Sequence, residues 1–369
     1  MLIQSFAFMK IVKFFLCILS LSFFSVQSVL SEEKKITIGV ITALTGQMAT
    51  IGTAVKNGIE LAREKNPELF KNIRFVYEDD QFDGKISLVA YRKLKDSDKA
   101  SVVFGFGAGQ AYVLGPIADR DKTPYINFSF DAAPAFNKTF TIRAMNHTDQ
   151  YMDTLAGSLL KNGHKKFYVV RMESPFYSAM ADSFSKMVGT RGVIEEVATH
   201  NPSETDFRTT VLKIKALENK PVGIFLSPDQ LIQFVKQSKE LQIERLYFGT
   251  DLFETAASIS SDKSMFEGCL YPDNNVSLAF RQDYLKAYGN EAQLTFAGSG
   301  FDMTILLGEI LSTQGEFDLE SIMKSLKEVK NKPGVLGTFS FVSDENFGMF
   351  YEYPMHVKSI TDSKGVPVR

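Results

Sequence analysis

The 369 residues exceed what one small core holds, and 44% hydrophobic with 23% charged side chains is the balance of a globular chain, so two domains are expected. A net charge of −2 removes the electrostatic case for nucleic acid. The two cysteines, Cys17 and Cys269, make no disulfide framework, and no repeat or low-complexity tract is present.

The first segment reads as an address rather than as part of a fold. Lys10 and Lys13 precede an apolar run from Phe14 to Val26, followed by Gln27-Ser28-Val29-Leu30-Ser31. A basic flank, a short apolar stretch and small residues at its end describe a secretory signal peptide over 1–31, cut after Ser28 or Ser31. The run is short for a membrane span. No later stretch matches its unbroken apolarity, so a soluble exported chain is expected. Cys17 lies within that run behind the bulky Phe15 and Leu16, which argues against lipidation there. Cleavage removes two of the 41 basic residues and none of the 43 acidic ones, leaving a net charge of about −4. Cys269 is then alone, and a buried, inert thiol is expected.

From Ile36 the pattern alternates β-rich runs with helical ones. Ile36–Ile41 reads as a buried parallel strand, and Ile51, Val55, Ile59 and Ala62 share a helix face. A strand over Ile73–Tyr77 ends in Glu78-Asp79-Asp80, and a helix follows over Lys85–Lys95. Adjacent Asp79 and Asp80 point to opposite faces of a strand, so they read as strand-end hydrogen-bonding groups rather than as a metal pair.

The next stretch, Ser101–Asp131, is strand, tight turn, helix, strand and loop. Its turn carries Gly105, Gly107 and Gly109, its helix runs from about Ala108 to Asp121 before Pro124, and its second strand is Tyr125–Phe128. Ligands in open α/β sheets sit beyond the carboxyl ends of strands. Glycines admit close approach, a helix start offers free N–H groups to an anion, and Ser129 and Asp131 supply polar groups at the neighbouring exit. The plainer reading is a pair of ordinary βα loops, since three glycines alone are a loose signal.

The alternation restarts at Thr141–Asn146. Helices are expected over Asp149–Leu160, Ser178–Val188, from Asp206, and Gln230–Leu241, with strands Lys166–Val170, Val193–Thr199, Val222–Leu226 and Leu246–Gly249. Two similar series imply two similar lobes with parallel sheets built from βαβ units. Helices near Ala279–Tyr288, Ser299–Leu311 and Asp318–Val329 follow, and Gly337–Phe341 with Met355–Val357 read as a closing antiparallel pair.

Catalytic patterns are missing. His147, His164, His200 and His356 are scattered without metal-ligand spacing, so no metal or cofactor is expected. The Gly105–Gln110 segment places Gln110 where a dinucleotide fingerprint needs glycine, and neither a phosphate-binding glycine–lysine loop nor a nucleophile elbow occurs. An enzyme is not expected.

Taken together, Ile36–Val40 with Leu44-Thr45-Gly46, Asp79-Asp80 with Asp83-Gly84, and Val103-Phe104-Gly105 through Pro116 to Thr123–Ile126 resemble type I periplasmic solute-binding proteins. Arg143 with Asp149-Gln150, Gly249-Thr250-Asp251 and Gly337-Thr338-Phe339 extend the likeness over the whole chain after the signal. The group it is most similar to is that of branched-chain amino-acid receptors of ABC transporters. The resemblance implies two Rossmann-like lobes joined by a three-strand hinge, closing over a small polar ligand in the periplasm and handing it to a membrane permease. It implies lobe one over 32–143 plus 250–333 and lobe two over 144–249 plus 334–369.

The resemblance also assigns site residues. An anion would meet the backbone of Ala108, Gly109 and Gln110, although Ala108 stands where the family has a serine. The amine-binding loop falls on Ser129, Phe130 and Asp131, with Asp131 in place of a threonine. Asp251 falls where a carboxylate meets the ligand amine, Tyr177 where an aromatic covers the ligand, and Ile51 where another aromatic is frequent. A family disulfide is absent, since Phe82 and the Gly107 region carry no cysteine. Helix or turn capping by Asp131 and Asp251, and packing by Tyr177 and Ile51, are the plainer alternatives. A second reading on the same fold is an envelope regulatory module that binds protein rather than solute.

Overall fold

The computed structural model describes residues 36–131, 135–313 and 318–368. The expected signal peptide and its cleavage sites lie outside them. The chain forms two seven-stranded sheets with helices packed between successive strands.

Sheet one contains β1 (Ile36–Thr42), β2 (Ile73–Asp79), β3 (Val102–Phe106), β4 (Tyr125–Phe128) and β5 (Thr141–Arg143). These run parallel in the order β5-β4-β3-β1-β2. Strands β1, β3 and β4 are buried almost throughout, which is why they read as continuous apolar runs rather than alternating ones. Sheet two contains β6 (Lys166–Met172), β7 (Val193–His200), β8 (Val222–Phe225), β9 (Tyr247–Phe248) and β10 (Leu270–Asp273).

The last hundred residues correct the expected division. β10 pairs with β9, so the chain is still in lobe two at residue 273 and does not return to lobe one at 250. The ending is two hairpins rather than one antiparallel pair. β11 (Ser340–Asp344) and β12 (Gly348–Glu352) join sheet one through β5, whereas β13 (His356–Thr361) and β14 (Lys364–Pro367) join sheet two through β10. Residues 340–352 therefore belong with lobe one, against the expected boundary at 334. Both sheets are mixed, parallel at the centre with an antiparallel hairpin at one edge.

Three passages connect the lobes, at 144–147, 274–277 and 353–355, and asparagines stitch them together. Asn146 Nδ2 donates to the Tyr353 carbonyl at 2.9 Å, and Asn274 Nδ2 to the Pro354 carbonyl at 2.9 Å. Such short, hydrogen-bonded crossings are the kind of place where a hinge bends.

Lobe one is built on a close helix pair, α1 (Ala49–Lys65) against α11 (Leu294–Thr313). Helix α11 is the one described helix long and apolar enough to cross a membrane, but Asp302 and Glu309 interrupt its apolarity and most of it is buried inside lobe one. Its apolarity is that of a core helix wrapped on several sides. Cys269 is buried, and that burial pushes its thiol up to about 12.

Candidate functional site

The exit of β3 is shaped by polar groups that the sequence keeps far apart. Asp80, fully buried after β2, accepts from Ser87 Oγ at 2.7 Å and from Gln110 Nε2 at 2.6 Å. Gln110 Nε2 also donates to the Ile41 carbonyl at 3.1 Å, while its Oε1 accepts from Tyr125 Oη at 2.9 Å. Asn127 Nδ2 continues the chain to Tyr125 Oη at 2.9 Å and the Gly107 carbonyl at 3.2 Å. The side chain of Gln110 is therefore consumed in fixing the turn, which leaves its backbone N–H, the group expected to meet an anion.

This network also separates the roles of the three glycines. A Cβ on Gly105 would overlap Gln110 Oε1, and one on Gly107 (φ +90) would overlap the ring of Phe82. A Cβ on Gly109 would meet nothing within 4 Å. Of the three, Gly109 alone faces open space, at the first turn of α4 (Ala108–Arg120). Among the described residues nothing pairs with the N–H groups of Ala108, Gly109 and Gln110. The helix dipole adds positive potential there, so this end suits a carboxylate.

The exit of β4 lies beside it, because Phe106 and Phe128 are register partners. Ser129 follows, 5% exposed, with an Oγ that has no hydrogen-bond partner among the described residues. A buried hydroxyl without a partner is costly unless something else completes it. Asp131 is half-buried and accepts from Tyr112 Oη at 2.9 Å. Phe130 is buried. Its ring packs 4.6 Å from Tyr151 and 5.5 Å from Phe296, and its carbonyl accepts from Thr148.

Arg143, which ends the short strand β5, is fully buried. Its guanidinium donates to the carbonyls of Phe130 (3.5 Å), Met145 (3.4 Å) and Phe347 (3.1 Å) and sits 4.9 Å from the Phe350 ring. Burial lowers it to about 9, with the charge of Asp131 opposing the shift. Arg143 thus ties the 129–131 loop to the β11–β12 hairpin.

Lobe two contributes Asp251 and Tyr177. Asp251 follows β9 and precedes α9 (Leu252–Ile259), yet its side chain makes no capping bond. It is 9% exposed and has no ion pair among the described residues. Burial first, then repulsion from Asp273 and Glu254, pushes its carboxyl up to about 7, while Lys358 pulls the other way. Tyr177, in the first turn of α6 (Pro175–Val188), is half-buried, and burial and then Asp251 raise its hydroxyl. Its side chain packs against the buried apolar core, and the influence of the Asp251 charge on its hydroxyl places the two in one neighbourhood. Ile51 is half-buried in the first turn of α1, leaning on the lobe-one core.

Two further charged residues stand at the crossing and were not foreseen. Lys358 Nζ lies 2.6 Å from Asp273 Oδ2, both side chains 4% exposed. Asp273 Oδ1 accepts from Thr295 Oγ1 of lobe one at 2.7 Å and from Tyr151 Oη of lobe two at 3.2 Å. A lysine in a closing strand and an aspartate after a proline carried no signal in isolation. Elsewhere, His200 bridges Glu204 (Nδ1, 2.9 Å) and Thr210 Oγ1 (Nε2, 3.1 Å), a buried chain joining β7 to the following helix. Among the described residues no cluster of three His, Cys, Asp or Glu side chains could hold a metal.

The arrangement offers an anion-accepting helix end, an unpartnered hydroxyl and an unpaired carboxylate beside an aromatic ring. That set can hold a small molecule with both an anionic and a cationic end. The family model for periplasmic binding proteins matches residues 35–362. The Leu/Ile/Val-binding protein BraC3 of Rhizobium johnstonii is 26% identical over 200 residues, 49% of this chain and 52% of that one; the chain thus spans about half the length of the curated relatives it matches. The isoleucine complex of LivJ, a branched-chain amino acid transporter substrate-binding protein of Streptococcus pneumoniae, superposes with a TM-score of 0.78 at 20% identity, covering 90% of this chain and 98% of LivJ. A solute-binding protein of an ABC transporter from Rhodopseudomonas palustris, in complex with 3,4-dihydroxybenzoic acid, superposes with a TM-score of 0.76 at 20% identity over 89% and 93% of the two chains.

Proposed function

Since the chain belongs to the periplasmic binding protein family, we propose that it is an extracytoplasmic receptor for a small amine-bearing solute, an amino acid or a close relative, which it delivers to an ABC-type permease. The observation that carries this reading is the Asp251 carboxylate, 9% exposed and without an ion pair among the described residues. Removing a carboxylate from water without a partner is unfavourable, so the site is completed by a cation brought from outside. The ligand's anionic end goes to the N–H groups of Ala108 and Gly109, and Ser129 Oγ supplies a further hydrogen bond. Tyr177 covers the ligand from lobe two.

The relatives support the class. One protein of similar fold is known with isoleucine and another with an aromatic acid. The basic and apolar leader over 1–31 supports export, and hence delivery from outside the cytoplasm.

Ligand binding to the folded form raises its stability, by about 2.7 kcal/mol at a hundredfold excess over Kd. A thermal-shift screen of amino acids, amides and small organic acids is the direct test. A saturable rise in melting temperature with amine-bearing compounds is expected. No response from any amino acid at millimolar concentration would overturn the reading.

A further inference from the structure

Five aromatic rings form a continuous row that starts in lobe one and ends on Tyr151 of lobe two. Phe82 lies 5.5 Å from Phe106, Phe106 5.7 Å from Phe296, Phe296 5.5 Å from Phe130, and Phe130 4.6 Å from Tyr151, centroid to centroid. Four of the five are buried, and only Phe82, 42% exposed, has a free face. These separations are those of favourable edge-to-face and tilted pairs.

Phe82 is held there deliberately. Gln81 (φ 53) and Phe82 (φ 63) both occupy the left-handed region, which non-glycine residues seldom adopt. Each is fixed by a carboxylate from the strand end. The Gln81 N–H donates to Asp79 Oδ1 at 3.0 Å and the Phe82 N–H to Asp80 Oδ1 at 3.1 Å. Asp79 also accepts from Leu44 N at 2.9 Å, and Asp80 from Ser87 and Gln110, so the loop is locked on both sides. Strained backbone held by its surroundings is typical of ligand clamps. The result is a ring lying over Gly107, immediately before the free N–H groups of α4.

We infer that Phe82 is a specificity-determining residue, and that its free face takes the aromatic body of a ligand whose carboxylate is bound at the start of α4. The inference rests on the receptor reading above and names the ligand class within it: an aromatic amino acid in preference to an aliphatic one. The ligand ring extends the row of five by one more member, in contact with Phe82. A polar side group placed there would lose water and gain no hydrogen bond.

The test uses L-phenylalanine and L-leucine as probes, which share amine and carboxylate and differ in the ring. Isothermal titration is carried out on the wild-type chain and on Phe82→Leu, which keeps apolar volume but removes the ring; Phe82→Ala is a second variant. The expected result is tighter wild-type binding of L-phenylalanine, weakened about three- to ten-fold in Phe82→Leu, with L-leucine changed less than about two-fold. Equal loss for both probes, no change for either, or wild-type preference for L-leucine overturns the assignment of Phe82 and leaves the receptor reading standing. Binding of neither probe by the wild type, with other amino acids also silent in the thermal screen, overturns both.

Discussion

Lys358 and Asp273 form a buried ion pair at 2.6 Å, 85 residues apart in sequence, where the second passage leaves sheet two. Tyr151 and Thr295 complete the hydrogen bonds of the carboxylate, one from each lobe. Asp273 therefore joins the strand that carries it to both halves of the molecule.

Removing one partner of such a pair strands the other charge out of water. Asp273→Ala should cost about 3–5 kcal/mol of stability, read as a lowered urea midpoint. The double change Asp273→Leu with Lys358→Met should recover much of that loss. Equal destabilisation by the single and double changes would show that the charge pair is not what the single change disrupts.

Asp251 makes stability depend on pH in a known direction. Its carboxyl is raised by burial to about 7 in the folded protein against 3.8 for the free group. Between those values the folded state holds more protons than the unfolded, so stability falls as pH rises from about 4 to 7 and is level above. Asp251→Asn removes this contribution. The variant should match the wild type near pH 4 and exceed it by on the order of 2 kcal/mol at pH 8. Asp302, raised to about 7 by burial against two backbone N–H bonds, adds a slope of the same sign that remains in the variant. An amine-bearing ligand should correspondingly bind better at pH 8 than at pH 5. A variant no more stable than the wild type at pH 8 contradicts the assignment.

The α1–α11 contact is close enough to exclude a methyl group. A Cβ on Gly58 would overlap the Ala297 carbonyl, whereas one on Gly157, in α5 (Thr148–Lys161), would meet nothing within 4 Å. Gly58→Ala should destabilise by about 1–3 kcal/mol, and Gly157→Ala should be neutral or stabilising by about 0.5–1 kcal/mol. Thermal denaturation of the two variants side by side separates packing from helix propensity. Similar behaviour in both would refute the close contact.

Much of the fold was legible because its strands are buried on both faces. Runs such as Ile36–Thr42 and Val102–Phe106 are apolar and β-branched or aromatic, and the helices between them carry a 3.6-residue stripe. What escaped notice depends on pairing between distant segments. Pro272 argues against a strand over Leu270–Asp273, yet β10 forms there, paired with β13 along its length and with β9 only at Leu270, so Pro272 lies beyond the β9 pairing. Nothing local distinguishes the hairpin of 340–352 from that of 356–367, so their division between sheets was invisible.

The candidate site was legible to a similar depth. Strand exits and a helix start mark where a ligand is proposed to go, and the sequence places the Asp251 carboxylate at such an exit. The use of Gln110 could not be read, because Asp80 and Tyr125 reach it from other strands. The same holds for Phe82. Its position depends on two carboxylates holding a left-handed loop, which residue types alone do not reveal.

The central claim is that Asp251 awaits the amine of a ligand. The most direct measurement is calorimetric titration with pairs of acids that differ only in that amine: L-leucine against 4-methylpentanoate, and L-phenylalanine against 3-phenylpropanoate. In at least one pair the amino acid should bind more than about ten-fold tighter, as a charge-assisted hydrogen bond implies, and Asp251→Asn should erase the difference. Equal affinity within both pairs, or a preference that survives in Asp251→Asn, would contradict the account.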